Sequence, residues 1–186
     1  MHKILILGPQ GCGKGTQAAL LAKKLGIPQL SMGQLLRETA KGIGLLADQI
    51  RAAQTAGRLV PVTVAVEVLS LRLKNSDAEH GYILDGYPRN EEQYQASLDL
   101  VDPSLVLVIE VPPEVSIPRL AHRAQLEHRL DDTSEVIEKR LKIYAEETRP
   151  MISHYEDRGL VRLIDGVGTV EQVAERVNRV LGIENV

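Results

Sequence analysis

The segment Gly8-Pro9-Gln10-Gly11-Cys12-Gly13-Lys14-Gly15-Thr16 carries the clearest chemistry in the chain. It fits G-x-x-x-x-G-K, with Gly15 where Ser or Thr is usual and Thr16 one place later. It follows the apolar run Ile4 to Leu7 and opens a helical pattern. Gly11, Gly13 and Gly15 let the backbone curl so that its N–H groups point inward. The helix N-terminus adds about half a positive charge. Lys14 then sets a full positive charge against the β- and γ-phosphates of a nucleoside triphosphate. A plain glycine-rich turn would give no reason for the lysine. Such a loop serves GTPases, transport ATPases and small-molecule kinases alike. The absence of a guanine-reading Asn-Lys-x-Asp disfavours the first. Cys12 near a helix N-terminus raises the idea of a redox-sensitive thiolate. The preferred reading is that a small residue is needed there.

Arginines supply the second signal. Asp85-Gly86-Tyr87-Pro88-Arg89 follows a strand pattern, with Gln93 four residues on. Ser31-Met32-Gly33-Gln34-Leu35-Leu36-Arg37 follows another. Arg119 and Arg123 are followed by Arg129-Leu130-Asp131-Asp132 and Arg140. Each guanidinium can grip two phosphate oxygens at once.

These stretches together closely resemble the adenylate kinase family, from residue 3 to about residue 182. The resemblance implies transfer of the γ-phosphoryl of ATP to AMP, giving two ADP, with Mg²⁺. It implies a P-loop NTPase-type parallel sheet flanked by helices on both faces. A helical NMP-binding insert at 31–60 and a short lid at 123–132 would complete it. The ATP side would comprise Gly11, Cys12, Gly13, Lys14, Gly15, Thr16, Arg119, Arg123 and Gly168, with Arg119 against the adenine. The AMP side would comprise Arg37, Arg58, Leu59, Val60, Gly86, Tyr87, Pro88, Arg89, Gln93, Arg129 and Arg140. Arg37 and Arg89 would hold the AMP phosphate and Gln93 the base. Arg123, Arg129 and Arg140 would bracket the phosphoryl group in flight. Asp85 would hold the water shell of Mg²⁺, with no side chain ligating the metal directly. The chemistry agrees. A nucleoside monophosphate is largely dianionic at neutral pH, so it needs no general base, only positioning and charge neutralisation.

The family usually has Ser-Thr-Gly-Asp where this chain has Ser31-Met32-Gly33-Gln34. Met32 removes a hydroxyl beside the monophosphate base, and Asn90 partly echoes relatives acting on UMP and CMP. Two alternatives therefore stand beside AMP as acceptor. One is a UMP/CMP or broad-specificity kinase. The other is a nucleotide-binding module without catalysis, which the retained Lys14, Asp85 and arginines disfavour.

The elements that must position these groups alternate along the chain. Strand patterns at Ile4–Leu7, Ile27–Leu30, Tyr82–Asp85, Leu105–Val111 and Leu160–Ile164 are separated by helical ones, which predicts an α/β fold with a parallel sheet. Capping boxes are expected at Asn90/Gln93, Asp132/Glu135 and Thr169/Gln172. Val62, Val64, Val66 and Val68 alternate like a strand. The same stretch reads Val62, Val66, Leu69, Leu73 at helical spacing, and its length favours a helix. Pro118 is expected to kink or delay the helix after Pro113. The last helix should bury Val173, Val177, Val180 and Leu181.

Composition bounds the rest. At 186 residues the chain is one domain, able to bury about 70% of its unfolded surface. It is 44% hydrophobic and 25% charged, with net charge −3, which disfavours a bulk nucleic-acid or polybasic membrane binder. One cysteine excludes an internal disulfide and a cysteine-built zinc lid. A signal peptide or membrane span is not expected, and a cytoplasmic monomer is the working expectation. The segments at 31–60 and 123–132 are expected to close over ATP, AMP or ADP and exclude water.

Overall fold

The computed structural model describes residues 2–126 and 133–183, with no account of the Leu126 side chain. Strands β1 (His2–Leu7), β2 (Gln29–Ser31), β3 (Gly81–Asp85), β4 (Leu105–Glu110) and β5 (Val161–Asp165) form one parallel sheet, ordered β2-β3-β1-β4-β5. The helices between them are α1 (Lys14–Leu25), α2 (Met32–Ala40), α3 (Leu45–Thr55), α4 (Val62–Leu73), α5 (Glu91–Ser97), α6 (Pro113–Leu126), α7 (Ser134–Ile143), α8 (Arg149–Met151), α9 (Ser153–Asp157) and α10 (Val170–Leu181). A 3₁₀ turn, Ser76–Ala78, precedes β3.

The unbroken aliphatic runs of the central strands have a direct cause: both faces of the sheet are covered. Side chains alternate across a strand, so β1 sends Leu5 and Leu7 into one core and Ile4 and Ile6 into the other. The first core adds Leu84, Val106 and Val108 and is closed by α4 and Tyr155. The second adds Ile83, Leu107 and Ile109, closed by Ala18 and Leu21 of α1 and Val173 and Val177 of α10. Each fully buried Leu or Ile contributes about 2 kcal/mol of transfer free energy.

The ambiguous valine run is a helix, α4, entered from Pro61 as its N-cap. Its buried residues are Val64, Ala65, Val68 and Leu69, so only Leu69 of the expected face lies fully inside. A helix apolar nearly all round does not announce which side the sheet will cover. Strand β2 begins at Gln29 rather than Ile27. Pro28 has no N–H for a ladder, and its carbonyl accepts the Ile83 N–H at 2.9 Å. Helix α6 runs from Pro113 without the delay expected at Pro118.

Capping differs in detail from expectation. Thr169 and Gln172 form the full reciprocal box. Asn90 accepts the Gln93 N–H at 3.0 Å, but the Gln93 side chain turns to the Arg89 N–H, so that box is half formed. Helix α7 is capped by Thr133, whose hydroxyl accepts the Val136 N–H at 3.4 Å. The expected cap, Asp132, lies outside the described residues. On α10, Val180 turns outward and is 38% exposed.

Two further features place the site. Residues Tyr144–Thr148 widen into a π-helical turn, with the Arg149 N–H bonded to the Tyr144 carbonyl. Helix α7 also meets the end of α3: Lys139 Nζ donates to the Ala56 carbonyl at 3.2 Å, and Val136 packs against Gly57.

The close approach of Gly8 to β4 gives a test. Its φ is +147°, and a Cβ there would stand 2.2 Å from the Ile109 carbonyl oxygen. Gly26, the left-handed C-cap of α1, has φ +66° and nothing within 4 Å of a Cβ. Urea denaturation should find Gly26→Ala destabilised by about 1 kcal/mol and Gly8→Ala by about 3 kcal/mol or more. Equal losses would contradict the packing described.

Candidate active site

The loops leaving β1 and β3 emerge side by side, because those strands pair with Ile6 opposite Asp85 and the Gly86 N–H bonded to the Ile6 carbonyl at 3.1 Å. They open onto one cavity of about 840 Å³. Its wall brings together Gly11, Cys12, Gly13, Lys14, Gly15 and Thr16 with Arg37, Arg58, Leu59 and Val60. It also takes in Asp85, Gly86, Tyr87, Arg89, Gln93, Arg119, Arg123, Arg140 and Gly168. Pro88 does not line it; that residue follows a cis peptide bond and turns the chain toward Arg89. Arg129 lies outside the described residues, as does 127–132 of the expected lid.

In the β1–α1 loop, Gly8, Gly11 and Gly13 all have positive φ, as a backbone curling its N–H groups inward requires. Lys14 Nζ donates to the Pro9 carbonyl at 3.1 Å, which folds the ammonium over the loop. Gly15 lies directly beside the Asp85 carboxylate: a Cβ there would stand 3.4 Å from Oδ2, at ordinary contact distance. Asp85 is 7% exposed, and its Oδ1 has no hydrogen-bond partner among the described residues. A buried carboxylate oxygen in that condition beside a phosphate loop suits the water shell of a divalent cation.

Cys12 lies in surroundings that disfavour a reactive thiolate. Its side chain is 1% exposed and packed in the second core. Burial pushes its thiol pKa up, outweighing the opposite pull of Lys14. The site needs a small side chain here, and the loop presents its backbone.

The guanidinium groups converge. Arg37 Nη1 and Arg89 Nη2 lie 3.3 and 4.0 Å from the point where a Gly33 Cβ would stand. The Arg89 pKa is lowered by burial; Asp85 opposes the shift, and Arg140, Arg37 and Arg123 reinforce it. Three bonds fix Arg89. Its Nε donates to the Gly86 carbonyl at 2.7 Å, its N–H to Gln93 Oε1 at 3.0 Å, and its carbonyl accepts the Thr148 hydroxyl at 2.5 Å. A cavity ringed by cations binds polyanions.

The two ends of the cavity differ. At one, Arg119 donates to the carbonyls of Gly166 and Gly168 at 3.2 and 3.1 Å, while Arg176 holds the same loop from behind through the Asp165 carbonyl at 2.7 Å. At the other, Met32 and Gln93 are 2% and 3% exposed beside Val60. Gln34 is drawn away to Glu38 at 2.8 Å.

Sequence reasoning missed Gln29, Gln54, His122 and Thr148. Gln29 Nε2 donates to the Gly15 carbonyl at 3.1 Å, tying β2 to the phosphate loop. His122 could have been found from its helical spacing with Arg119; Thr148 carried no local signal.

A family model described as adenylate kinase matches residues 6–160. Among curated proteins, the adenylate kinase of Micrococcus luteus is 42% identical over 183 residues, covering 95% of this chain and 89% of that protein. Those of Mycobacterium tuberculosis and Xylella fastidiosa are each 42% identical, over 185 and 188 residues, covering 97% of this chain and 99% of the relative.

The burial of Cys12, the one cysteine of the chain, predicts its reactivity. A disulfide reagent should modify the native protein at least about a hundredfold more slowly than the urea-unfolded chain. Comparable rates, followed by absorbance of the released thiol, would place the thiol in solvent instead.

Proposed function

The chain belongs to the adenylate kinase family, and on that premise we propose that it catalyses reversible transfer of the γ-phosphoryl group of ATP to AMP, giving two ADP. The observation that carries the reading is the gathering of Arg37, Arg89, Arg123 and Arg140 with the Lys14 loop around one cavity.

The site suits direct transfer between phosphates. The acceptor oxygen of AMP is already ionised, so the chain needs neither a nucleophile nor a base of its own. The loop N–H groups and Lys14 hold the triphosphate. Arg37 and Arg89 hold the acceptor phosphate, and Arg123 and Arg140, with Arg129, neutralise charge as the phosphoryl group passes between them. Fixed donors of this kind need no reorganisation when the charge shifts. Arg119 and the Gly168 loop seat the ATP adenine; Arg58, Leu59, Val60, Gly86, Tyr87, Pro88 and Gln93 enclose AMP. The buried Asp85 carboxylate fits the hydration shell of Mg²⁺, which when bound to the nucleotide screens the β- and γ-phosphate charge. Residues 31–60 serve as the NMP-binding insert and 123–132 as a short lid, closing to exclude water. A cytoplasmic monomer is the form proposed for the enzyme. Separately, no helix among the described residues is long and apolar enough to cross a membrane.

Adenine is the preferred acceptor base. Of the two residues that raised the UMP/CMP alternative, Met32 and Asn90, the second is occupied elsewhere: Oδ1 caps α5 and Nδ2 donates to Glu147 at 3.2 Å. Gln93, with its Oε1 engaged by Arg89, is left to present Nε2 as a donor to the base.

A coupled assay of ADP formation tests this. AMP should outperform CMP, UMP and GMP by at least about tenfold, while equal rates would favour the broad-specificity alternative. Arg123→Ala and Arg140→Ala should each lower kcat at least about a hundredfold, roughly 3 kcal/mol of barrier, with the fold intact by circular dichroism. Lys14→Met should abolish turnover. Near-normal turnover in these variants would overturn the assignment.

A further inference from the structure

Thr148 is 5% exposed and ends the π-helical turn that follows the arginine-bearing helix α7. A helical threonine ordinarily returns its hydroxyl to the carbonyl one turn back, at Tyr144. Here the Tyr144 carbonyl accepts the Arg149 N–H across the wider turn. The Thr148 hydroxyl instead crosses to another element and donates to the Arg89 carbonyl at 2.5 Å. Its neighbour Glu147 takes the Asn90 amide at 3.2 Å, so two successive residues of the turn dock on two successive residues of the β3–α5 loop.

The geometry of this bond concerns the phosphoryl site directly. Arg89 is otherwise held through its N–H by Gln93 and through Nε by Gly86, both close to it in the chain. The Thr148 bond reaches Arg89 from a distant part of the chain, the segment continuous with Arg140. We propose that Thr148 is a positioning residue for phosphoryl transfer, its hydroxyl setting the placement of Arg89 relative to Arg140 by tying the loop of one to the helix of the other. The π turn lies in the chain between Arg140 and Arg149 and ends at Thr148, so this bond ties the turn itself to the Arg89 loop. The inference rests on the proposed function only for the identity of the anion that the two arginines share.

The test compares Thr148→Val, which keeps shape and removes the hydroxyl, with Thr148→Ser, which keeps the hydroxyl. AMP and ATP affinities are measured by calorimetry, kcat and KM by ADP formation, and Tm by thermal unfolding. Thr148→Val should weaken AMP binding and lower kcat by about tenfold each, leaving ATP affinity within about twofold. Thr148→Ser should restore both to within about threefold of the parent. A valine variant with parental kcat and AMP affinity and only a lower Tm would overturn the proposal, marking the bond as merely structural. Should that variant not fold, Thr148→Ala assayed in the cold carries the same expectation and the same refutation. A parent protein that binds AMP without forming ADP would defeat the proposed function, yet the binding comparison would still decide the role of Thr148.

Discussion

Like charges held around one cavity repel, and the fold of this chain is organised to hold them. Two unit charges about 7 Å apart cost roughly 2 kcal/mol at the effective dielectric of a partly buried site. Arg37, Arg89, Arg123 and Arg140 raise several such terms at once, and burial of Arg89 adds to them. Asp85 offsets part of the repulsion. The scaffold also holds the arrangement: adjacent strands set the Lys14 loop beside Asp85, and three hydrogen bonds lock Arg89. A polyanion placed among these cations would relieve the repulsion, so the clustering of like charge favours phosphate binding.

Residues adjacent in sequence explain what could be read without coordinates. The phosphate loop, the Asp85–Arg89 turn and the Thr169 cap are local, and each residue type there answers a backbone or charge requirement within a few positions. The alternation of apolar runs likewise follows from covering both faces of a sheet. What escaped reading depends on distant partners. The buried face of α4 is chosen by the sheet beneath it, and the Gln93 amide by the Arg89 N–H rather than by the cap it resembles. Cys12 sits where the helix terminus alone would favour a thiolate, yet the side chains packed around it, not the terminus, decide its character.

The same distinction separates the two ends of the cavity. The end formed by Arg119 and the Gly166–Gly168 loop is clamped from both sides, by Arg119 in front and Arg176 behind. The opposite end is built from α2, α3 and the chain through Arg58 to Val60, where Met32, Ile50, Ala53 and Val60 join the first core. One end is thus held by hydrogen bonds from arginines and the other by apolar packing against the first core.

Helices α3 and α7 meet beside the cavity that Gln54 and Arg140 line. Their described links are one lysine–carbonyl bond and a valine resting on a glycine, an attachment of about 1 kcal/mol in water. Such a fastening is comparable with thermal energy. Because α7 also carries Arg140, a change in this contact would be felt directly at the cation-lined cavity.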